Sequence, residues 1–238
     1  MTASSPLRVK IFADGADKST IARYCADSRI AGFTTNPTLM RKAGVTDYEA
    51  FAREVVDLVD DRPVSFEVFS DDFAEMERQA LHIASWGANV AVKIPITNTR
   101  GDSAAPLLRR LSDGGVRVNA TAILSVEQVR VAAQALSGTP QGYVSVFAGR
   151  IADSGRDPLP LMREALAILA AHPGLELIWA SPREVLNIVQ ADAIGCHVIT
   201  VTSDLLEKMH LFGKDLAEYS LETVRMFHDD ARRAGYFL

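Results

Sequence analysis

The chain has no apolar run near the roughly 20 residues that a membrane-spanning helix needs, so nothing in it reads as a span. Its first six residues, Met-Thr-Ala-Ser-Ser-Pro, lack the charged-then-apolar layout of a signal peptide, and the expected location is cytoplasmic. Cysteine is scarce. Cys25 and Cys196 lie far apart in apolar surroundings, which suits reduced, buried thiols rather than a disulfide framework. The five histidines, His82, His172, His197, His210 and His228, show no HxH or HExxH spacing, which argues against a metal site. Basic charge is not in excess either. A net charge of −5 supplies no global field for nucleic acid or an anionic membrane, so any anionic ligand must be met by local arginines. No Gly-x-Gly-x-x-Gly follows the first apolar run, which argues against a dinucleotide site. No linker rich in Pro, Gly or Ser interrupts the 238 residues, and 48% hydrophobic content is enough to bury a large core.

What is present is a regular alternation. Short apolar runs rich in β-branched residues recur at 9–14, 32–35, 64–68, 90–94, 116–123, 143–148, 175–180 and 196–202, eight in all, and each reads as a buried strand. Helical patterns lie between them at 17–27, 48–60, 73–86, 104–112, 126–136, 160–171 and 183–190, with another at 203–212. Such alternation implies parallel strands joined by helical crossovers. Eight units at this length fit an α/β closed (β/α)8 barrel; a doubly wound open sheet is the alternative. The expected organisation is a single barrel domain over 1–238, with 213–238 as a C-terminal helical extension. The helix of that extension, at 216–233, offers Leu221, Val224, Met226 and Phe227 to cover the barrel or to dock on another subunit.

Strand residues alternate between two faces. In the fourth run Val90, Val92 and Ile94 share the helix-facing side, which leaves Ala91 and Lys93 pointing inward. The same split puts Asp14 and Phe12, Glu67 and Ser65, Asn119 and Thr121, and Ser145 and Phe147 inside. Leu177, Trp179 and Ser181 share one face of the seventh strand, and Ser181 is placed inside with the others. Most of these polar residues fall near the C-terminal ends of their strands, where barrel enzymes place their chemistry. Buried charges cost several kcal/mol unless paired. A purely structural ion pair between Lys93 and Glu67 or Asp14 is one reading. A polar cluster converging on one lysine at that end is better explained by catalysis. Desolvation disfavours the charged form of an amine, and a neutral amine attacks carbonyls to form a Schiff base. The iminium is an electron sink for breaking an adjacent C–C bond, while nearby carboxylates move protons. The cluster therefore suggests a class I aldolase-type mechanism.

The motifs then become specific. The blocks Phe12-Ala13-Asp14, Gly32-Phe33-Thr34-Thr35-Asn36-Pro37-Thr38, Ser65-Phe66-Glu67 and Val92-Lys93-Ile94-Pro95 occur in this order. They are followed by Asn119-Ala120-Thr121, Ser145-Val146-Phe147-Ala148-Gly149-Arg150 and Ala180-Ser181-Pro182-Arg183. The chain resembles the transaldolase family in its short-chain branch, which includes the fructose-6-phosphate aldolases. The resemblance implies a (β/α)8 barrel and a Schiff base on Lys93. It implies that Asp14 takes the C4 hydroxyl proton and that Glu67 works through a water that Thr121 helps to hold. Thr34, Asn36, Asn119, Phe147 and Ser181 would line the sugar, and Arg150, with Ser145 and Arg183, would take the phosphate. No metal or organic cofactor is implied, because the lysine is the electron sink. The implied partners are sugar phosphates and further copies of the chain, as a pentamer or decamer. Where the aldolases of the branch carry Gln and Tyr, this chain has Glu67 and Phe147, the transaldolase choice. Three alternatives stay open: reversible aldolase cleavage, transfer to a pentose phosphate in making an unusual higher sugar, and non-catalytic sugar-phosphate binding. Gly15 and Pro182 depart from the family's usual Thr and Phe, and the stretch 97–103 after Pro95 is longer than usual. Following the fourth strand, that stretch is expected at the active-site mouth.

Overall fold

The computed structural model describes residues 7–139 and 141–237; the N-terminal stretch read for a signal peptide lies outside them. Eight strands follow one another around a closed barrel. They are β1 (Lys10–Asp14), β2 (Ile30–Thr34), β3 (Val64–Glu67), β4 (Val90–Pro95), β5 (Val118–Ile123), β6 (Gly142–Val146), β7 (Leu175–Trp179) and β8 (Val198–Thr202). β1 pairs in parallel with both β2 and β8, which closes the sheet and rules out the open alternative. The helices are α1 (Lys18–Cys25), α2 (Pro37–Lys42), α3 (Tyr48–Leu58), α4 (Phe73–Ala84), α5 (Ala105–Asp113) and α6 (Val126–Ala135). They continue with α7 (Ala148–Asp153), α8 (Leu159–Leu169), α9 (Leu186–Ala193), α10 (Ser203–Lys208) and α11 (Leu216–Arg233).

The eight expected strands are all present, displaced by a few residues at their ends. Two helices, α2 and α7, were not anticipated. Each has six residues, too few to display a 3.6-residue apolar period. Helix starts follow side-chain chemistry. Asp17, Asn36, Asp47 and Asp72 each accept from the backbone N–H three residues on, and Ser125 with Gln128 forms a reciprocal capping box. Each such cap contributes about 1 kcal/mol. The chain divides into two compact units. Leu7–Leu206 is the barrel, and the chain from Glu207 onward belongs to the other. In the latter, Asp215 caps α11 by accepting from Ala217 and Glu218 N–H, both at 2.9 Å. Arg232 and Arg233 lie in its last turn, where positive charge suits the helix dipole.

Inside the barrel, Phe12, Ala91, Tyr143, Ile178, Ala180 and Val198 form an apolar plug. The rings of Phe12 and Tyr143 meet edge to face with centroids 5.9 Å apart, an arrangement that aromatic quadrupoles favour. Phe12 fits only because β2 carries Gly32 beside it. A Cβ at position 32 would stand 2.7 Å from the Phe12 ring. The ring is 1% exposed and cannot swing away without disturbing Tyr143. Gly32→Ala is expected to destabilise the barrel by about 1–3 kcal/mol in urea unfolding. Adding Phe12→Leu should recover part of the loss; an unperturbed Gly32→Ala protein would show that the plug has slack.

Candidate active site

Above the plug the interior turns polar. Strand pairing sets Glu67 beside Lys93 and Lys93 beside Asn119. The pleat that sends Val92 and Ile94 to the helix layer therefore turns three polar side chains inward in a row. Lys93 is 7% exposed. Its Nζ donates to the Thr35 carbonyl at 2.9 Å and lies 3.2 Å from Glu67 Oε2. The buried charge thus has both an ionic partner and a carbonyl acceptor, the two things that make such burial tolerable.

Asp14 ends β1, directly beside Thr34 in the pairing. Thr34 Oγ1 donates to Asp14 Oδ1 at 2.8 Å. Burial pushes the Asp14 carboxyl above its ordinary value of 3.8, and Glu67 adds to the rise; Lys93 and the Thr34 hydroxyl oppose it without cancelling it. A second polar chain crosses the barrel floor. Ser145 Oγ donates to Asn119 Oδ1 at 2.7 Å, and Asn119 Nδ2 donates to Ser65 Oγ at 3.2 Å. This fixes the Asn119 amide with its oxygen toward Ser145. Thr121 Oγ1 is buried and has no hydrogen-bond partner within the chain. Such a group calls for a water or a ligand.

These residues open into one cavity of about 490 Å³. All twelve residues singled out from the sequence line it: Asp14, Thr34, Asn36, Glu67, Lys93, Asn119, Thr121, Ser145, Phe147, Arg150, Ser181 and Arg183. Asn36 has two tasks. Its Oδ1 accepts from Leu39 N–H at 2.9 Å and caps α2, which leaves its amide nitrogen for a ligand. Arg150 is carried by α7, with its guanidinium 5.9 Å from the centre of the Phe147 ring. Arg183 lies ahead of α9 and is held by Asp153, which accepts from its Nε at 2.9 Å. That contact holds the Asp153 carboxyl below the ordinary carboxylate range, through hydrogen bonding first and charge second.

Ser181 reaches the cavity by a different route from the one expected. Ile178 and Ala180 belong to the interior plug, so Leu177 and Trp179 face the helices, and simple alternation would put residue 181 there too. β7 ends at Trp179 and Ser181 takes φ +61, which breaks the alternation and turns it inward. Its carbonyl then passes over Gly149, where an added Cβ would stand 1.6 Å from it. Only glycine allows that approach, and it brings the segment holding Arg183 against the helix holding Arg150.

The stretch 97–103 contributes no lining residue to this cavity. Thr97 and Ser103 form an antiparallel bridge. Asp71 accepts from the backbone N–H and the hydroxyl of Thr99, both at 2.7 Å, and tethers the turn beside the start of α4. Four residues that do bear on the site escaped the sequence reading. Thr200 and Thr202 line the cavity on the same face of β8 as Val198, and strand alternation would have found them. Lys42 also lines it, on the unanticipated α2. The fourth, Tyr48, gives no sequence signal at all. A larger cavity of about 740 Å³ opens among the N-terminal ends of the strands, at Lys10, Val90, Val116 and Glu176. Its charges are partly committed, since Lys10 Nζ and Glu176 pair at 2.5 Å, and it lies at the end of the barrel away from Lys93.

Among known families, the transaldolase/fructose-6-phosphate aldolase model matches residues 11–236. The chain belongs to this family. A "Probable transaldolase" of Dehalococcoides mccartyi (strain ATCC BAA-2266 / KCTC 15142 / 195) is 36% identical over 203 residues, covering 84% of this chain and 90% of that one. Another of the same description, from Thermoanaerobacter sp. (strain X514), is 34% identical over 228 residues, 95% of this chain and 99% of that one. A solved structure described as "Native KDPGal structure" superposes with a TM-score of 0.54 at 14% identity, over 86% of this chain and 87% of that one. That likeness speaks to the barrel fold alone. Among the described residues, no helix is long and apolar enough to cross a membrane.

The position of Asp14 has a stability consequence. Its carboxyl is harder to ionise folded than unfolded, so stability is full below the ordinary carboxylate pKa and is lost as pH rises through the folded one. Asp14→Asn is therefore expected to raise Tm at pH 7, by about 2–4 °C for each kcal/mol relieved, with a smaller gain at pH 4. A lower Tm at pH 7 would mean that Asp14 is held favourably as an anion.

Proposed function

We propose that the protein is a transaldolase. It takes a three-carbon dihydroxyacetone unit from a ketose phosphate such as fructose 6-phosphate or sedoheptulose 7-phosphate. It passes the unit to an aldose phosphate such as erythrose 4-phosphate, through a Schiff base on Lys93. The observation that carries this reading is the seating of Lys93. The amine is buried at the C-terminal end of the barrel, 3.2 Å from Glu67, and opens into the cavity that Asp14 also lines.

In this reading the Lys93 amine attacks the ketose carbonyl carbon. The oxygen leaves as water after Glu67 has relayed a proton to it, and an iminium remains. The unpartnered Thr121 hydroxyl supports a place for the relaying water. Asp14 takes the C4 hydroxyl proton and the C3–C4 bond breaks. Its electron pair flows into the iminium to give an enamine, and the aldehyde phosphate departs. The enamine carbon then adds to the acceptor aldehyde, Asp14 returns its proton to the new alkoxide, and water releases the longer ketose from Lys93. Arg150 and Arg183 suit the phosphate dianion. Asn36, Asn119 and Ser181 suit the hydroxyls of the three-carbon unit. Phe147 lines the cavity and brings no hydroxyl to it, which favours an enamine that waits for an aldehyde over one released by hydrolysis.

Product analysis with fructose 6-phosphate tests this. Glyceraldehyde 3-phosphate should form only when an aldose phosphate acceptor is present, together with a longer ketose phosphate. Borohydride in the presence of substrate should fix a three-carbon adduct on Lys93, and Lys93→Ala should give neither adduct nor turnover. Sustained free dihydroxyacetone without acceptor would instead mean an aldolase. Phe147→Tyr is expected to raise hydrolytic release relative to transfer, read as the ratio of the two products. An unchanged ratio would remove Phe147 from the choice between the two reactions.

A further inference from the structure

Glu67 has a problem that the barrel does not solve for it. In a parallel sheet the N–H and C=O of one residue both point to the same neighbouring strand, and successive residues alternate sides. Along β3, Val64 N–H donates to Asn89 O and Val68 N–H to Lys93 O, so the even residues bond toward β4. The odd residues turn toward β2. Ser65 is served there, since its carbonyl accepts from Thr35 N–H at 3.2 Å. Glu67 is not: the Thr35 carbonyl accepts from Lys93 Nζ instead, β2 stops at Thr34, and the chain turns through Asn36 into α2. The next backbone nitrogen belongs to Pro37, which has no proton to donate.

A side chain fills the gap. Glu67 N–H donates to Tyr48 Oη at 2.9 Å, and Tyr48 Oη donates to the Glu67 carbonyl, also at 2.9 Å. One phenol thus does the work of a strand, and it needs to be a neutral hydroxyl to donate and accept at once. Burial keeps it so by raising its pKa. The ring is wedged among Phe66, Phe69 and Trp86 at centroid distances of 6.3, 4.8 and 5.8 Å. Its backbone is set by Asp47, whose side chain caps α3 from the preceding position.

We infer that Tyr48 is a positioning residue for the reaction: by closing the open edge of β3 at Glu67, it holds that carboxylate against Lys93. The inference rests on the proposed Schiff-base chemistry for its catalytic consequence, though not for its geometry. Tyr48 touches no substrate in this arrangement, as it does not line the cavity of Lys93. Its effect should fall on steps that need Glu67, which are water loss and water return at the ketose carbon, and not on phosphate binding.

The test compares Tyr48→Phe with Trp86→Phe in the full chain. Tyr48→Phe keeps the ring and removes both hydrogen bonds. Trp86→Phe disturbs the same aromatic group and leaves them in place. Hydrogen exchange of the peptide spanning Glu67 should quicken in Tyr48→Phe at pH 7 and stay near wild type in Trp86→Phe. With fructose 6-phosphate and an aldose acceptor, Tyr48→Phe should lower kcat by about tenfold, roughly one hydrogen bond's net strength, with KM unchanged. The rate of borohydride-trapped adduct should fall in parallel. Wild-type kcat and exchange in Tyr48→Phe would overturn the inference. An equal kcat loss in Trp86→Phe would also overturn it, since packing alone would then explain the effect. If wild-type protein gives no adduct at all, the Schiff-base reading fails. The exchange result then decides alone: quickened exchange at Glu67 upholds the edge closure, and unchanged exchange ends it.

Discussion

The structure depends on a lysine amine held inside a protein. Lys93 occupies a barrel position that branched apolar side chains normally fill, and its environment is built around that fact. Glu67 supplies the opposite charge and the Thr35 carbonyl an acceptor. Glu67 comes from the adjacent β3, and Thr35 from just past the end of β2, two strands away. Neither arrangement survives a slip of strand register, because a shift of one residue would turn Lys93 toward the helices. The closed pairing of eight strands is thus a requirement of the site as much as of the fold.

The interior is layered as a result. The lower layer is apolar, with Phe12 and Tyr143 wedged together and Gly32 making room for them. Above it runs a polar layer in which Ser145, Asn119 and Ser65 satisfy one another. Beside that layer, Asp14, Glu67 and Lys93 line the same cavity as Asn119 and Ser145. Burial raises the Asp14 pKa, while the lysine and the Thr34 hydroxyl work against the rise. A carboxyl poised in this way both takes and returns a proton more readily than one locked as an anion. Burial thus costs stability at Asp14, and in the proposed reaction the same burial suits the carboxyl to act as acid and base.

Much of this was legible along the chain. The period-two pattern exposed Lys93, Glu67, Asn119 and Thr121 as inward residues, because a strand with one face against helices leaves the other face to stand out. The motif blocks added Asn36, Arg150 and Arg183, which no periodicity reveals. The departures have separate causes. Ser181 was placed by extending a pleat past the end of its strand, and the true route is a left-handed turn over Gly149. Helices α2 and α7 are too short to show a period, although one is capped by Asn36 and the other carries Arg150. The stretch 97–103 was expected at the mouth because of its place after β4; it lines no part of the cavity, and Thr99 bonds to Asp71.

The amino-acid sequence by itself determined the barrel, the inward polar set and the family, because each is written in local pattern: alternation, helix caps and short motifs. It did not determine the edge of β3. Tyr48 lies 19 residues from Glu67 and carries no motif, and its hydroxyl matters only because β2 ends too early to serve Glu67. Where one strand stops relative to its neighbour is fixed by barrel closure and by the turn into α2. Those are properties of the assembled sheet, and only the tertiary structure could decide them.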